Sequence, residues 1–200
     1  IVVRYAGKIA GGVVVDDGLY LPAESAWYPA DGGLARFDIK TSVPAPYVVV
    51  TQGSHRAPDS WTANIAADRL TLVAGKWTHE ERRTSSGVVL GTYLSEANAC
   101  ASKALLDVVQ HAIETWSDVL TPFAYDRFDV VESGFGDARG GPGFALVPAG
   151  EIAQVAGPQG IASLSRLLER EVVRSWWGDL VFVDPAEGDW SDGLTQWCVS

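Results

Sequence analysis

The chain predicts an α+β fold in which an antiparallel β part comes first and a part built around helices follows. Two observations carry this. Up to about residue 94, short runs of β-branched and aromatic residues alternate with clusters of Gly, Pro, Asp and Ser. After residue 95 the apolar period changes from runs to the i, i+3, i+4 stripe of amphipathic helices. Composition adds a third: 200 residues that are 47% hydrophobic and 10% aromatic can bury a sizeable core.

In chain order, strands are expected at residues 1–5, 12–15, 36–40, 47–51, 69–73 and 88–93, each rich in Val, Ile, Thr, Tyr or Phe and bounded by turn residues. From Ala97 to Leu120 the residues Ala101, Leu105, Val108, Val109, Ala112, Ile113 and Trp116 recur at helical spacing. That predicts a helix with Ser95 or Asn98 as its cap and Pro122 as its stop. Residues 128–132 and 144–147 read as two further strands, the second inside a glycine-rich segment from Gly134 to Gly150. A second helix is predicted over Ile161–Trp177, with Ile161, Leu164, Leu167, Leu168, Val172 and Trp176 on its apolar face. Trp176, Trp177 and Trp190 are expected in the core of this part.

That second helix carries Glu169-Arg170-Glu171-Val172-Val173-Arg174-Ser175-Trp176-Trp177-Gly178, followed by Asp189-Trp190-Ser191-Asp192-Gly193-Leu194. Set against the zincin motif H-E-x-x-H, the stretch keeps the glutamate and has arginine at both histidine positions. With the Trp-Trp-Gly that follows, it resembles the H-E-x-x-H-x-W-W-G helix of the aminopeptidase N type of zinc aminopeptidase, the gluzincins. Upstream, Tyr5-Ala6-Gly7, Trp27-Tyr28-Pro29, residues 43–53 and Ala74-Gly75-Lys76-Trp77 resemble, in order, landmarks of the same family's N-terminal β-saddle.

The resemblance implies an antiparallel β-saddle part over residues 1–94 and a truncated thermolysin-like (gluzincin) α/β catalytic-lobe part over residues 95–200. It places Glu171 at the general-base position, and Arg170, Arg174 and Asp192 at or beside the metal-ligand positions. Zinc, expected in the family, is predicted absent here, and no residue is assigned as a metal ligand. Imidazole offers zinc a lone pair, whereas guanidinium stays protonated and offers only donors. The family's third ligand, a glutamate, falls on Gly193, and Asp192 arrives one residue early on a shorter side chain. The family's G-x-M-E-N motif, whose glutamate holds the substrate amine, is matched in place by Gly141–Val147, which has neither the glutamate nor the asparagine.

These losses point to a catalytically degenerate, pseudo-metallopeptidase domain serving as a scaffold or interaction module. The alternative is a repurposed, metal-free enzyme using the old cleft on an anionic small molecule. For the helix charges, one reading is a solvated set of ion pairs among Arg166, Arg170, Glu171 and Arg174, each of little energetic weight. A second has the arginines fill the vacated site as a salt bridge, and a third has them clamp a carboxylate or phosphate.

Other classes find no support. With 15 basic and 25 acidic residues, net charge −10 and no basic run, nucleic acid is not an expected partner. Apolar runs such as residues 47–50 and 180–183 are far shorter than the ~20 residues that span a bilayer, so direct membrane insertion is not expected. The partner is read as an unknown protein or an anionic small molecule, and the chain as a soluble domain with the cytoplasm favoured. His55, His79 and His111 are scattered with no i+4 partner, and each is expected solvated or singly bonded. Cys100 and Cys198 form no C-x-x-C pair and are expected as buried free thiols, with a disulfide left open. Methionine is absent even from position 1, so the chain is expected to be part of a longer one.

Overall fold

The computed structural model describes the chain except residues 1, 5, 8–11, 16, 17, 26, 31, 137, 138, 157–159, 185 and 187. The predicted strand over residues 1–5 is absent from residues 2–4, and its ends lie outside the described residues. The first sheet has the order β1-β2-β7-β4 and is antiparallel throughout, built from β1 (Val13–Val15), β2 (Gly18–Leu21), β7 (Leu72–Gly75) and β4 (Val48–Thr51). A second antiparallel sheet joins β3 (Ala35–Lys40), β6 (Ser60–Ala67) and β5 (Ser54–Ala57).

The third sheet has the order β11-β10-β9-β8, from β11 (Phe144–Pro148), β10 (Arg127–Ser133), β9 (Val89–Leu94) and β8 (Thr78–Arg83). The strands β11, β10 and β9 run parallel and are buried nearly throughout, as parallel strands covered on both faces should be. β8 closes the edge antiparallel to β9, and its Thr-His-Glu-Glu-Arg-Arg sequence faces solvent. Because β8 and β9 precede residue 95, this sheet runs across the expected boundary between the β part and the helical part.

Alternation along these strands sorts two cores. Leu90, Phe128, Val130, Ala145 and Val147 face the helices, where Leu105, Val109, Ile113, Leu164, Leu168 and Val172 complete a dry cluster. Tyr93, Val131, Phe144 and Leu146 point the other way and pack with Tyr20, Val50, Trp61 and Val73 of the first two sheets. The third sheet is thus the middle layer, and whatever lies beyond its β11 edge is reached by both halves.

The predicted first helix is a 3-10 turn, Glu96–Ala101, leading into α1 (Ser102–Val119). Neither expected cap is used: Ser95 gives its N–H and hydroxyl to the Glu132 carboxylate at 2.8 and 3.0 Å, and Asn98 donates to Ala149 O. After β11 come α2 (Ala149–Ala153) and α3 (Gly160–Arg174), which packs against α1. α3 ends three residues before the predicted Trp177. Gly178, at φ +113°, reverses the chain there, so that its N–H reaches Val181 O and the Val181 N–H reaches Trp176 O. Trp176 is buried and donates to the Thr121 carbonyl and hydroxyl, fixing the end of α3 to the segment after α1. Trp177 and Trp190 are only partly buried and meet edge to face.

The cysteines are free, but Cys100 is exposed and Cys198 half-buried, against the expectation of two buried thiols. No helix among the described residues is long and apolar enough to cross a membrane.

Candidate functional site

Arg170 and Arg174 lie one turn apart on α3, and α4 (Ser191–Cys198) brings the remaining carboxylate to them. α4 starts where Asp189 accepts hydrogen bonds from the Ser191 hydroxyl and N–H, which also hold the Asp189 carboxyl below the usual carboxylate range. Asp192, in its first turn, then sits 3.3 Å from Arg174 Nη1. Arg170 Nη2 is 3.6 Å from Glu171 Oε1. Each sequence-predicted site residue is therefore in an ion pair with another.

Of these residues Arg170, Glu171 and Arg174 line one or both of two hollows at the β11 edge, and Asp192 lines neither. The larger, of about 650 Å³, is lined by Arg139, Glu151, Arg166, Arg170, Glu171 and Arg174 along with apolar side chains. The smaller, of about 160 Å³, lies between the halves and takes Tyr20, Gln52 and Arg69 from one side and Glu171, Arg174 and Asp179 from the other. Arg139, Gly140, Glu171 and Arg174 line both, and so lie where the two meet.

The far wall is held by tertiary contacts. Tyr20 donates its hydroxyl proton to Arg139 O and accepts from the Arg139 N–H, both at 3.1 Å, so β2 anchors the loop before β11. Gln52 is fixed through Thr71 N–H, at 2.9 Å, and Arg69 O. Gly141 and Phe144 close a tight turn by reciprocal backbone hydrogen bonds, so this turn brings glycine, proline and phenylalanine to the wall, while Glu24 and Asp68 bring carboxylates to the same hollow.

Sequence reasoning missed Arg139 and Asp179. Arg139 lies in a glycine-rich stretch whose course only the fold determines. Asp179 had a signal, since it follows the Trp-Trp-Gly directly. Burial pushes its carboxyl up to about 7; Arg174 opposes the rise and Glu171 adds to it.

The donors at this site do not match a zinc ion. Positions 170 and 174 present guanidinium groups, which have no lone pair to give, and the two carboxylates are occupied by them. The histidines are elsewhere, on strands in two cases. His55 in β5 stacks on Trp61, with its Nε2 buried and unbonded; His79 in β8 stacks on Tyr93, 3.4 Å from Glu81; and His111 is exposed on α1. The Nε2 of His55 is thus neither solvated nor bonded, although the residue is only partly buried. Burial lowers the pKa of His79. Among the described residues, no three His, Cys, Asp or Glu side chains are grouped where they could hold a metal.

Two solved structures share this architecture. One is the crystal structure of Legionella pneumophila aminopeptidase A in complex with aspartic acid, at TM-score 0.73 and 16% identity, covering 94% of this chain and 26% of that one. The likeness is one of fold, to a part of that chain. The other, M1 zinc metallopeptidase from Deinococcus radiodurans, superposes at TM-score 0.69 and 15% identity, covering 94% of this chain and 47% of that one. The chain thus spans about a quarter of the first and just under half of the second. No family model and no curated protein match the sequence.

Proposed function

We propose that this chain is a catalytically degenerate aminopeptidase-like domain, one that does not hydrolyse peptides through zinc and acts as an interaction module. The observation that carries this reading is the pairing at the site: Arg170 with Glu171 and Arg174 with Asp192. In the family that the motif resembles, the glutamate takes a proton from a water whose pKa zinc lowers to ~7. The carboxylate of Glu171 alone faces water near its bulk pKa of ~15.7, and the nearest charged partner of that carboxylate is the Arg170 guanidinium. Proton abstraction under those conditions is too unfavourable to support turnover.

The test is elemental analysis of protein purified with zinc and then dialysed, joined to an aminopeptidase assay across divalent metals. The expected result is no stoichiometric zinc and no cleavage. Metal-stimulated cleavage that disappears in Glu171→Gln would overturn the reading.

A second reading, metal-free acid–base chemistry on an anionic small molecule, is favoured by one feature. Asp179, its carboxyl pushed up to about 7 by burial, lines the smaller hollow together with Glu171, and a carboxyl that titrates near the working pH can serve as general acid or base. Turnover of any anionic ester or amide with a pH profile lost in Asp179→Asn would establish it over the first.

A further inference from the structure

Net charge across the chain is −10, yet the larger hollow is lined by four arginines and two glutamates. Arg166, Arg170 and Arg174 are spaced i, i+4, i+8 along α3 and all reach this hollow. Like charges one turn apart on a helix repel and cost it stability. Glu171 and Asp192 relieve Arg170 and Arg174, but among the described residues Arg166 and Arg139 have no ion pair. Arg139 faces the row from the loop that Tyr20 anchors.

We propose that the cleft binds an acidic peptide segment in extended conformation, its alternate Asp or Glu side chains laid along the arginine row. Spacing supports it. Residues four apart on a helix rise by ~6 Å, and alternate residues of an extended chain are ~6.6 Å apart, so successive carboxylates meet successive guanidiniums in the bidentate fork geometry. Leu146, Pro148 and Leu167 in the same lining offer contact for the side chains between. Single-stranded nucleic acid fits less well, because the lining has no aromatic platform on which bases stack. This proposal rests on reading the cleft as a non-catalytic binding site and names the partner of that site.

The experiment is fluorescence anisotropy with the full chain and a labelled, end-blocked hexapeptide of alternating glutamate and alanine. Binding that weakens as salt rises is expected. The double substitution Arg166→Ala with Arg170→Ala should weaken it about tenfold or more. Both side chains are exposed, so the variant should keep its circular dichroism and melting profile. Arg139→Ala should weaken binding from the opposite wall. Replacing the peptide's glutamates by glutamine should abolish it. No binding of the glutamate peptide, or binding untouched by the double substitution, overturns the proposal. Displacement by inorganic phosphate at equal charge concentration also overturns it, in favour of a small-anion site. Mass spectrometry of the same peptide with a free N-terminus after incubation with zinc separates the two readings. Cleavage lost in Glu171→Gln sinks the non-catalytic function alone, whereas an intact, unbound peptide sinks the acidic-peptide partner alone.

Discussion

Two arginine–carboxylate clusters occupy this molecule, and they differ in what surrounds them. On the third sheet, Arg127 grips Asp129 through Nε and Nη2, both at 2.7 Å, with side-chain exposures of 7% and 1%. Burial alone would lower the pKa of Arg127 and raise that of Asp129; the bidentate contact keeps Arg127 charged. Register explains the arrangement. Glu81, Gly91 and Asp129 lie in one row across β8, β9 and β10, and the bare Gly91 leaves room for the guanidinium to reach Glu81 at 3.1 Å. At the cleft the pairs are longer, single-contact and open, with Arg170 48% and Arg174 29% exposed. The first cluster has finished its bonding and serves the fold. The second keeps donors in reserve and can serve a ligand.

The largest test of that contrast is Asp129→Ala, which leaves the buried guanidinium with the half-exposed Glu81 as its one carboxylate partner and should cost about 3–5 kcal/mol in urea denaturation. Exchanging both partners for Leu and Met should leave stability near or above the starting value, and a large loss there would mean that the pair itself is stabilising. Next is Gly91→Ala, whose methyl would collide with Asp129 Oδ1 and lie 3.1 Å from Arg127 Nη2. A loss of about 1–3 kcal/mol is expected from the overpacking, read as a lower melting temperature.

Asp179 belongs to the open cluster but is partly closed off, and its pH dependence has a definite sign. Its folded pKa, about 7, lies above the ordinary 3.8, so folding favours the protonated form. Its contribution to stability is full below pH 3.8, falls as pH rises towards 7, and is constant above. Asp179→Asn should therefore gain up to about 4 kcal/mol at pH 8, less in proportion as solvent screens the part-exposed residue, a gain that vanishes as pH drops below 4. An equal gain at both pH values would mean that the carboxyl is solvated. The smallest effect is the coupling between Arg174 and Asp192, below about 0.5 kcal/mol in a double-mutant cycle and weaker in salt. Coupling as strong as that of a buried pair would erase the contrast.

What the sequence made legible follows the same division between local and assembled. β9, β10 and β11 could be read because buried parallel strands need continuous apolar, β-branched runs. β8 and β5 could not, since Thr-His-Glu-Glu-Arg-Arg and Ser-His-Arg-Ala carry the charge and polarity of exposed strands and look like loop. α3 was legible by period, but its end was set by the Gly178 turn rather than by the apolar stripe. Glu171, Arg170, Arg174 and Asp192 could be gathered because a helix and a short connection bring them together. Arg139 enters the site only because a tyrosine 119 residues away holds its backbone.

That tether makes the cleft a joint between two halves. Its one wall travels with the first sheet through Tyr20, and its other wall travels with α3. Any molecule that spans Arg139 and the helix arginines binds only when the halves are docked, and by mass action it tightens their docking. Occupancy of the cleft would accordingly show as slower hydrogen exchange at the Arg139 amide, on the side of the cleft opposite the helix.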